Sequence, residues 1–195
     1  ESGESPGRLE HYWAAAAALW SKGADGIYLP SFRWPQTPED HRLLSELADP
    51  DLLKEKSKHY VVRRDDEESS MLGYPGQLPV ILTPGLDPPG QTVKLFIADD
   101  VGRGDATLRV RLANHTSNDS ITVSLNGAAL DSTTSRTSSH RFDYSWVEYP
   151  LPRGALTDGP NAVGVTLQAR PPGMEGELRL ESVELTVTYR APEAP

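Results

Sequence analysis

The sequence predicts an α+β chain: an α–β–α segment followed by an antiparallel β-sandwich. Three observations predict it. Before position 60 the apolar residues recur at spacings of three and four, the helical period. After position 79 they alternate with polar residues, the period of strands that face a core on one side and water on the other. Glycine and proline are frequent, 16 and 17 of 195 residues, and turn signals separate the strand-like runs. The expected organisation is a first unit over residues 1–60, a linker over 61–78 and a sandwich over 79–195.

Taking the elements in order, residues 8–22 place Leu9, Tyr12, Trp13, Ala16, Leu19 and Trp20 on one helical stripe. The alanine run at 14–18 has high helix propensity, and its small side chains allow close packing. Gly23 is the stop signal just past the last turn. The apolar run Ile27-Tyr28-Leu29, between Gly26 and Pro30, reads as a buried strand of the parallel-sheet kind. Thr37-Pro38-Glu39-Asp40 has the composition of a helix start, with Leu43, Leu44 and Leu47 as its apolar stripe. Asp49-Pro50 ends that helix, and Leu52-Leu53 begin a further short turn. The mixed charge block at 63–70 reads as an exposed connector. Strands follow at 80–82, 92–98, 107–114, 120–126, 144–151, 162–169 and 178–189. Asn126-Gly127 marks a tight hairpin, and strands this short and regular suggest a sandwich.

Composition excludes several classes. There is no cysteine, hence no disulfide framework and no cysteine-type zinc site. No run of about 18 apolar residues exists to form a membrane-spanning helix. A net charge of −9 argues against nucleic acid as a partner, because phosphate contacts need a basic face. Apolar residues make up 37% of the chain and fall in periodic runs, which argues against disorder.

Two stretches resemble known families. Tyr12-Trp13-Ala14-Ala15 through Gly23-Ala24-Asp25-Gly26-Ile27-Tyr28-Leu29-Pro30-Ser31-Phe32, with the later leucines and the run to Val61, resembles the last helix–strand–helix step of bacterial family-10-like TIM-barrel glycoside hydrolases. The resemblance implies that residues 1–60 are an incomplete (β/α)8 barrel remnant. Val123-Ser124-Leu125-Asn126-Gly127, Val147-Glu148-Tyr149-Pro150-Leu151 and Gly159-Pro160-Asn161-Ala162-Val163-Gly164-Val165 are similar to strands and turns of galactose-binding-like jelly rolls. That pattern marks a fold more than a ligand, because such sandwiches include both carbohydrate-binding modules and spacers in large glycosidases.

The resemblance implies where chemistry would lie. In TIM barrels the active site sits where strands end, which puts Phe32, Arg33 and Trp34 at the catalytic mouth as substrate-binding residues. Packing of the loop against the barrel is the plainer reading of the two aromatics. Asp25 lies before the strand and reads as a turn residue. Glycoside hydrolysis usually needs two carboxylates about 5–10 Å apart, and no such pair can be nominated. No catalytic residue is therefore assigned, and the acid and its partner are expected on strands upstream of Glu1. With no initiating Met, the chain is expected to be an inactive C-terminal piece of an extracytoplasmic or secreted hydrolase, with the barrel as its missing partner.

In the sandwich, Phe142, Tyr144 and Trp146 share one strand face, with Tyr149 on the other. Such a stripe is by default core. The sharper alternative makes Tyr144 and Trp146 carbohydrate-binding residues. No metal site is expected from the histidines, none of which are paired at i, i+4. No cofactor is expected either, although Asp99-Asp100 with Asp105 offers clustered oxygens for a structural calcium. Arg103-Gly104-Asp105 reads as a chance adhesion-like triplet in a turn, and Asn114-His115-Thr116 and Asn118-Asp119-Ser120 are glycosylation sequons in form only. The expected function is that of a glycoside hydrolase fragment with an accessory sandwich. A non-catalytic carbohydrate-binding module or a structural spacer is the alternative.

Overall fold

Helix α1 (Arg8–Ser21) ends as its sequence requires. Gly23 adopts φ +85°, its N–H bonds to the Trp20 carbonyl at 2.9 Å, and the Ala24 N–H reaches back to Leu19 at 3.1 Å. These two bonds satisfy carbonyls that the last turn leaves open, and only glycine adopts that φ at no steric cost. Helix α2 (Pro38–Leu47) begins with a reciprocal cap, in which Asp40 N–H donates to Thr37 Oγ1 and Thr37 N–H donates to the Asp40 carboxylate. A single turn of 3₁₀-helix, Pro50–Leu53, follows. The chain is described from a computed structural model, which covers residues 8–29, 37–54, 56–63, 76–85, 91–99, 102–140 and 144–189.

The strands are β1 (Lys58–Arg63), β2 (Val80–Ile81), β3 (Gln91–Ile97), β4 (Asp105–Ala113), β5 (Ser120–Leu125), β6 (Ala128–Ala129), β7 (Arg136–His140), β8 (Tyr144–Leu151), β9 (Gly159–Ala169) and β10 (Arg179–Thr188). They form two antiparallel sheets. One runs β1-β10-β4-β8-β7, with β2 also on β10; the other runs β3-β9-β5-β6. Asn126 and Gly127 take φ +52° and +85°, the left-handed pair that a two-residue hairpin needs to join β5 and β6. The inward side chains of both sheets, among them Val93, Val163, Val110 and Leu185, at 0% exposure, form one core.

Two differences from the sequence reading concern the first 63 residues. Residues 27–29 form no strand. Ile27 and Leu29 pack on the cluster made by Ala16, Ala17, Leu43, Leu47 and Leu53, while Tyr28 is 86% exposed. The layer beside them is helical, and helices satisfy their own backbone, so it offers no ladder for a strand to join. Conversely, β1 crosses the boundary expected after residue 60. It pairs with β10 from Lys58↔Val187 to Arg63↔Ser182 and so belongs to the sandwich. Inward-facing Tyr60 explains why. Its hydroxyl donates to the Ala98 carbonyl at 3.0 Å and accepts from the Ala98 N–H at 3.3 Å, tying β1 of one sheet to the end of β3 in the other.

Helix α1 lies along β1 and touches β3, each the terminal strand of its sheet. Its alanines serve both sides: Ala14 enters the sandwich core and Ala16 and Ala17 enter the helical cluster. Glu46 of α2, 8% exposed, ties this layer together. It accepts from Trp13 Nε1 at 2.9 Å, Arg42 Nε at 2.8 Å and Lys56 Nζ at 2.8 Å.

Tyr60→Phe keeps the ring and removes the two bonds to Ala98. It is expected to lower the unfolding free energy by about 1–2 kcal/mol, the cost of stranding buried partners. Denaturant titration measures this, and an unchanged midpoint would show that residues before 79 are only a tether.

Candidate functional site

The sheet that contains β8 turns one face to the core and the other outward. Ser145, Val147 and Tyr149 point inward, so Tyr144 and Trp146 point outward, and both are half-buried. This corrects the default assignment of that stripe to the core. The inward parity of β8 is taken by Val147 and Tyr149, 3% and 2% exposed, and side chains one residue apart cannot share a face. Phe142, the third member of the stripe, lies outside the described residues, as do Phe32, Arg33 and Trp34.

The register shows what surrounds the pair. One row across the sheet reads Arg63, Ser182, Arg111, Trp146 and Ser138; the adjacent row reads Val61, Glu184, Arg109, Glu148 and Arg136. At about 4.8 Å between strands, each row spans roughly 19 Å. The guanidinium of Arg109 lies 4.4 Å from the Trp146 ring centre and that of Arg111 lies 4.1 Å from the Tyr144 ring. These are cation–π distances, and they orient both rings. Arg109 Nε also sits 2.9 Å from Glu148 Oε1, an ion-pair contact outside hydrogen-bond alignment.

Where α1 meets this sheet, the His11 and His59 rings stack with centres 4.3 Å apart. His11 Nδ1 donates to the His59 carbonyl at 3.1 Å, and His59 Nε2 meets the Glu184 carboxylate at 3.0 Å. Burial, then the neighbouring His59 and Arg63, hold the His11 pKa below its usual value against the opposing bond to the His59 carbonyl. Burial alone would raise Glu184, but the hydrogen bond and charge of His59, with Arg109 and Arg63, outweigh it and hold the carboxyl below its usual range.

On the opposite face of β1 from His59, a cavity of about 760 Å³ opens between α1 and the sandwich, walled by Ala17, Trp20 and Leu53. Lys58 and Asp99 lie on its lining, with side chains 1% and 3% exposed. The Lys58 ammonium sits 3.2 Å from Asp99 and also donates to the Lys56 carbonyl at 3.1 Å, and the Tyr189 hydroxyl donates to Asp99. Burial pushes the Lys58 pKa down despite Asp99. The Lys58 ammonium is thus a cation already beside Asp99; Asp100, which the calcium reading grouped with Asp99 and Asp105, lies outside the described residues, and among the described residues no group of three His, Asp or Glu is placed to hold a metal ion. Lys58 went unnoticed in the sequence, although its place two residues before Tyr60 put it on the inward side of a strand.

The remaining short motifs are structural. Gly104, inside the Arg-Gly-Asp triplet, passes so close to β10 that an added Cβ would lie 2.8 Å from Val187 Cγ1. Asn114 Nδ2 donates to the Glu177 carbonyl at 2.9 Å, so this sequon's amide is already engaged, whereas Asn118 is exposed. No protein-family model matches the chain, and no curated protein matches it.

His11 binds a proton less readily folded than unfolded, so the unfolded chain takes up more protons as pH falls below the ordinary histidine value of 6.5. Stability that His11 permits at neutral pH is therefore lost on acidification from about 6.5 downward, and the lowered Glu184 extends that loss below its ordinary value of 4.5. His11→Phe is expected to flatten the upper part of this profile only. Unfolding free energies measured from pH 7.5 to 4 check it, and parallel profiles for the two proteins would refute it.

Proposed function

We propose that this chain is a non-catalytic part of a glycoside hydrolase and that its sandwich engages polysaccharide. The observation that carries the reading is the outward pair Tyr144 and Trp146 on β8, each ring oriented by an arginine. Sugar rings present C–H faces that pack on aromatic surfaces and hydroxyls that bond to planar polar groups, and a surface ordered before binding loses less entropy on binding. The sequence resemblance to family-10-like hydrolases and to galactose-binding-like jelly rolls supports the same reading, as well as an extracytoplasmic setting. On this reading the preceding barrel covers Leu19 and Tyr28, 44% and 86% exposed, and the hydrolytic carboxylates belong to that barrel.

A second reading, a structural brace, is favoured by one observation: Ala14 of α1 belongs to the same core as both sheets. A sandwich that shares its core with the helical layer transmits position as a rigid body and needs no ligand.

Affinity electrophoresis through gels containing soluble polysaccharides distinguishes the two. Retardation by at least one glycan, weakened tenfold or more in Trp146→Ala with an unchanged melting temperature, is expected for the binder. Unretarded migration in every gel would leave the brace. The isolated chain is expected to show no glycosidase turnover in either case.

A further inference from the structure

The outward face that carries Trp146 has an unbalanced charge. Its carboxylates are already engaged: Glu148 with Arg109, Glu184 with His59, and Glu181 with Arg179 at 3.2 Å. Arg63, Arg111 and Arg136 lie on the same face by register; none of the three is in ion-pair contact with a carboxylate among the described residues, although the charge of Arg63 does reach Glu184. Arg111 is the most telling. Its side chain is half-buried, its Nε is shielded from solvent without a hydrogen-bond acceptor, and its recorded contact is the Tyr144 ring. A partly desolvated guanidinium with no counter-charge is costly in a free protein and favourable once an anion arrives.

We infer that this face takes a carboxylated polysaccharide, a chain of uronic-acid type, with Arg111 and Arg63 meeting its carboxylates and Trp146 packing on its sugar rings. The inference rests on the glycan-binding reading above and names the class of glycan. Arg63, Arg111 and Trp146 fall in one row, so two cations and an aromatic surface lie along a line that an extended chain of sugars can follow. Planar guanidinium groups match carboxylates two bonds at a time, which a neutral hydroxyl does not offer. The overall charge of −9 does not oppose this, because charges farther than about 8 Å away are largely screened at physiological salt. Nucleic acid fits less well, since a few arginines interrupted by Glu148 and Glu184 make no continuous basic track.

The test uses the whole chain in affinity gels that contain polygalacturonate or alginate, each beside its esterified, uncharged form, with inorganic polyphosphate as a sugar-free polyanion. The acids are expected to bind at least tenfold more tightly than their esters, and more weakly as salt rises. Arg111→Gln is expected to remove most of that difference. Arg63→Gln, at an exposed position that folding tolerates, is expected to reduce it severalfold. Equal binding of acid and ester, insensitive to both substitutions but lost in Trp146→Ala, would overturn the inference and leave glycan binding standing. Equal binding of polyphosphate would overturn it as simple polyanion capture. Failure of every glycan, charged or neutral, would remove both this inference and the reading beneath it.

Discussion

An antiparallel sandwich ends in strands whose outer backbone groups have no neighbour, and such edges invite unwanted pairing unless they are covered. Here the β1 and β3 edges lie on the same side of the molecule, and α1 closes them. Much of the rest depends on that closure. The helix must approach a strand closely, which an alanine face permits and a leucine face does not. It must also be held in place, which the indole N–H groups of Trp13 and Trp20 do by bonding to Glu46 and the Leu47 carbonyl. Helices and sandwich thereby share a boundary.

The closure brings polar groups into the interior. Lys58 and Asp99 sit almost wholly out of water, and a buried pair of this kind contributes little net stability, because desolvation consumes most of the attraction. Its consequence is geometric. A one-residue slip of β1 along β10 would turn the ammonium outward and leave Asp99 without its cation, while carrying Tyr60 away from Ala98. The pair and the tyrosine therefore penalise the same error from different directions. At the other side of β1, His11 and Glu184, both with lowered pKa values, add contacts that depend on pH, so the edge is held by hydrophobic packing that pH does not touch and by polar contacts that it does.

Most of the sandwich was legible in the sequence because it rests on period-2 alternation with a clear apolar face. Leu108-Val110-Leu112 and Val183-Leu185-Val187 could be assigned from pattern alone, and Asn126-Gly127 needed only its turn chemistry. Besides the two-residue β6, which the hairpin signal implied without giving it a range, two strands were hidden for different reasons. β7 reads Arg-Thr-Ser-Ser-His and offers no apolar parity, since an edge strand beside β8 has no core to face. β1 was masked by Lys58, a charge on its inward side, and by the charge block that follows it. The error at Ile27-Tyr28-Leu29 runs the other way. Three apolar residues between turn signals are consistent with a strand, but local sequence carries no information on whether a neighbouring strand exists to pair with.

The candidate surface was half legible. Spacing placed Tyr144 and Trp146 on one face, but which face required knowing that Val147 and Tyr149 fill the core. The arginines were invisible as a group, because Arg63, Arg109, Arg111 and Arg136 come from three strands well separated in sequence and meet only through register. The same register explains why the face is polar at all. Alternation fixes the inner residues by burial and leaves the outer ones free of packing constraint, so their identity reflects solubility or recognition. Solubility alone is met by scattered lysine and glutamate. Two aromatic rings, each held by a guanidinium, one of them that of Arg111 with its Nε shielded from solvent and without an acceptor, exceed that need, and this is the order on which the recognition reading rests.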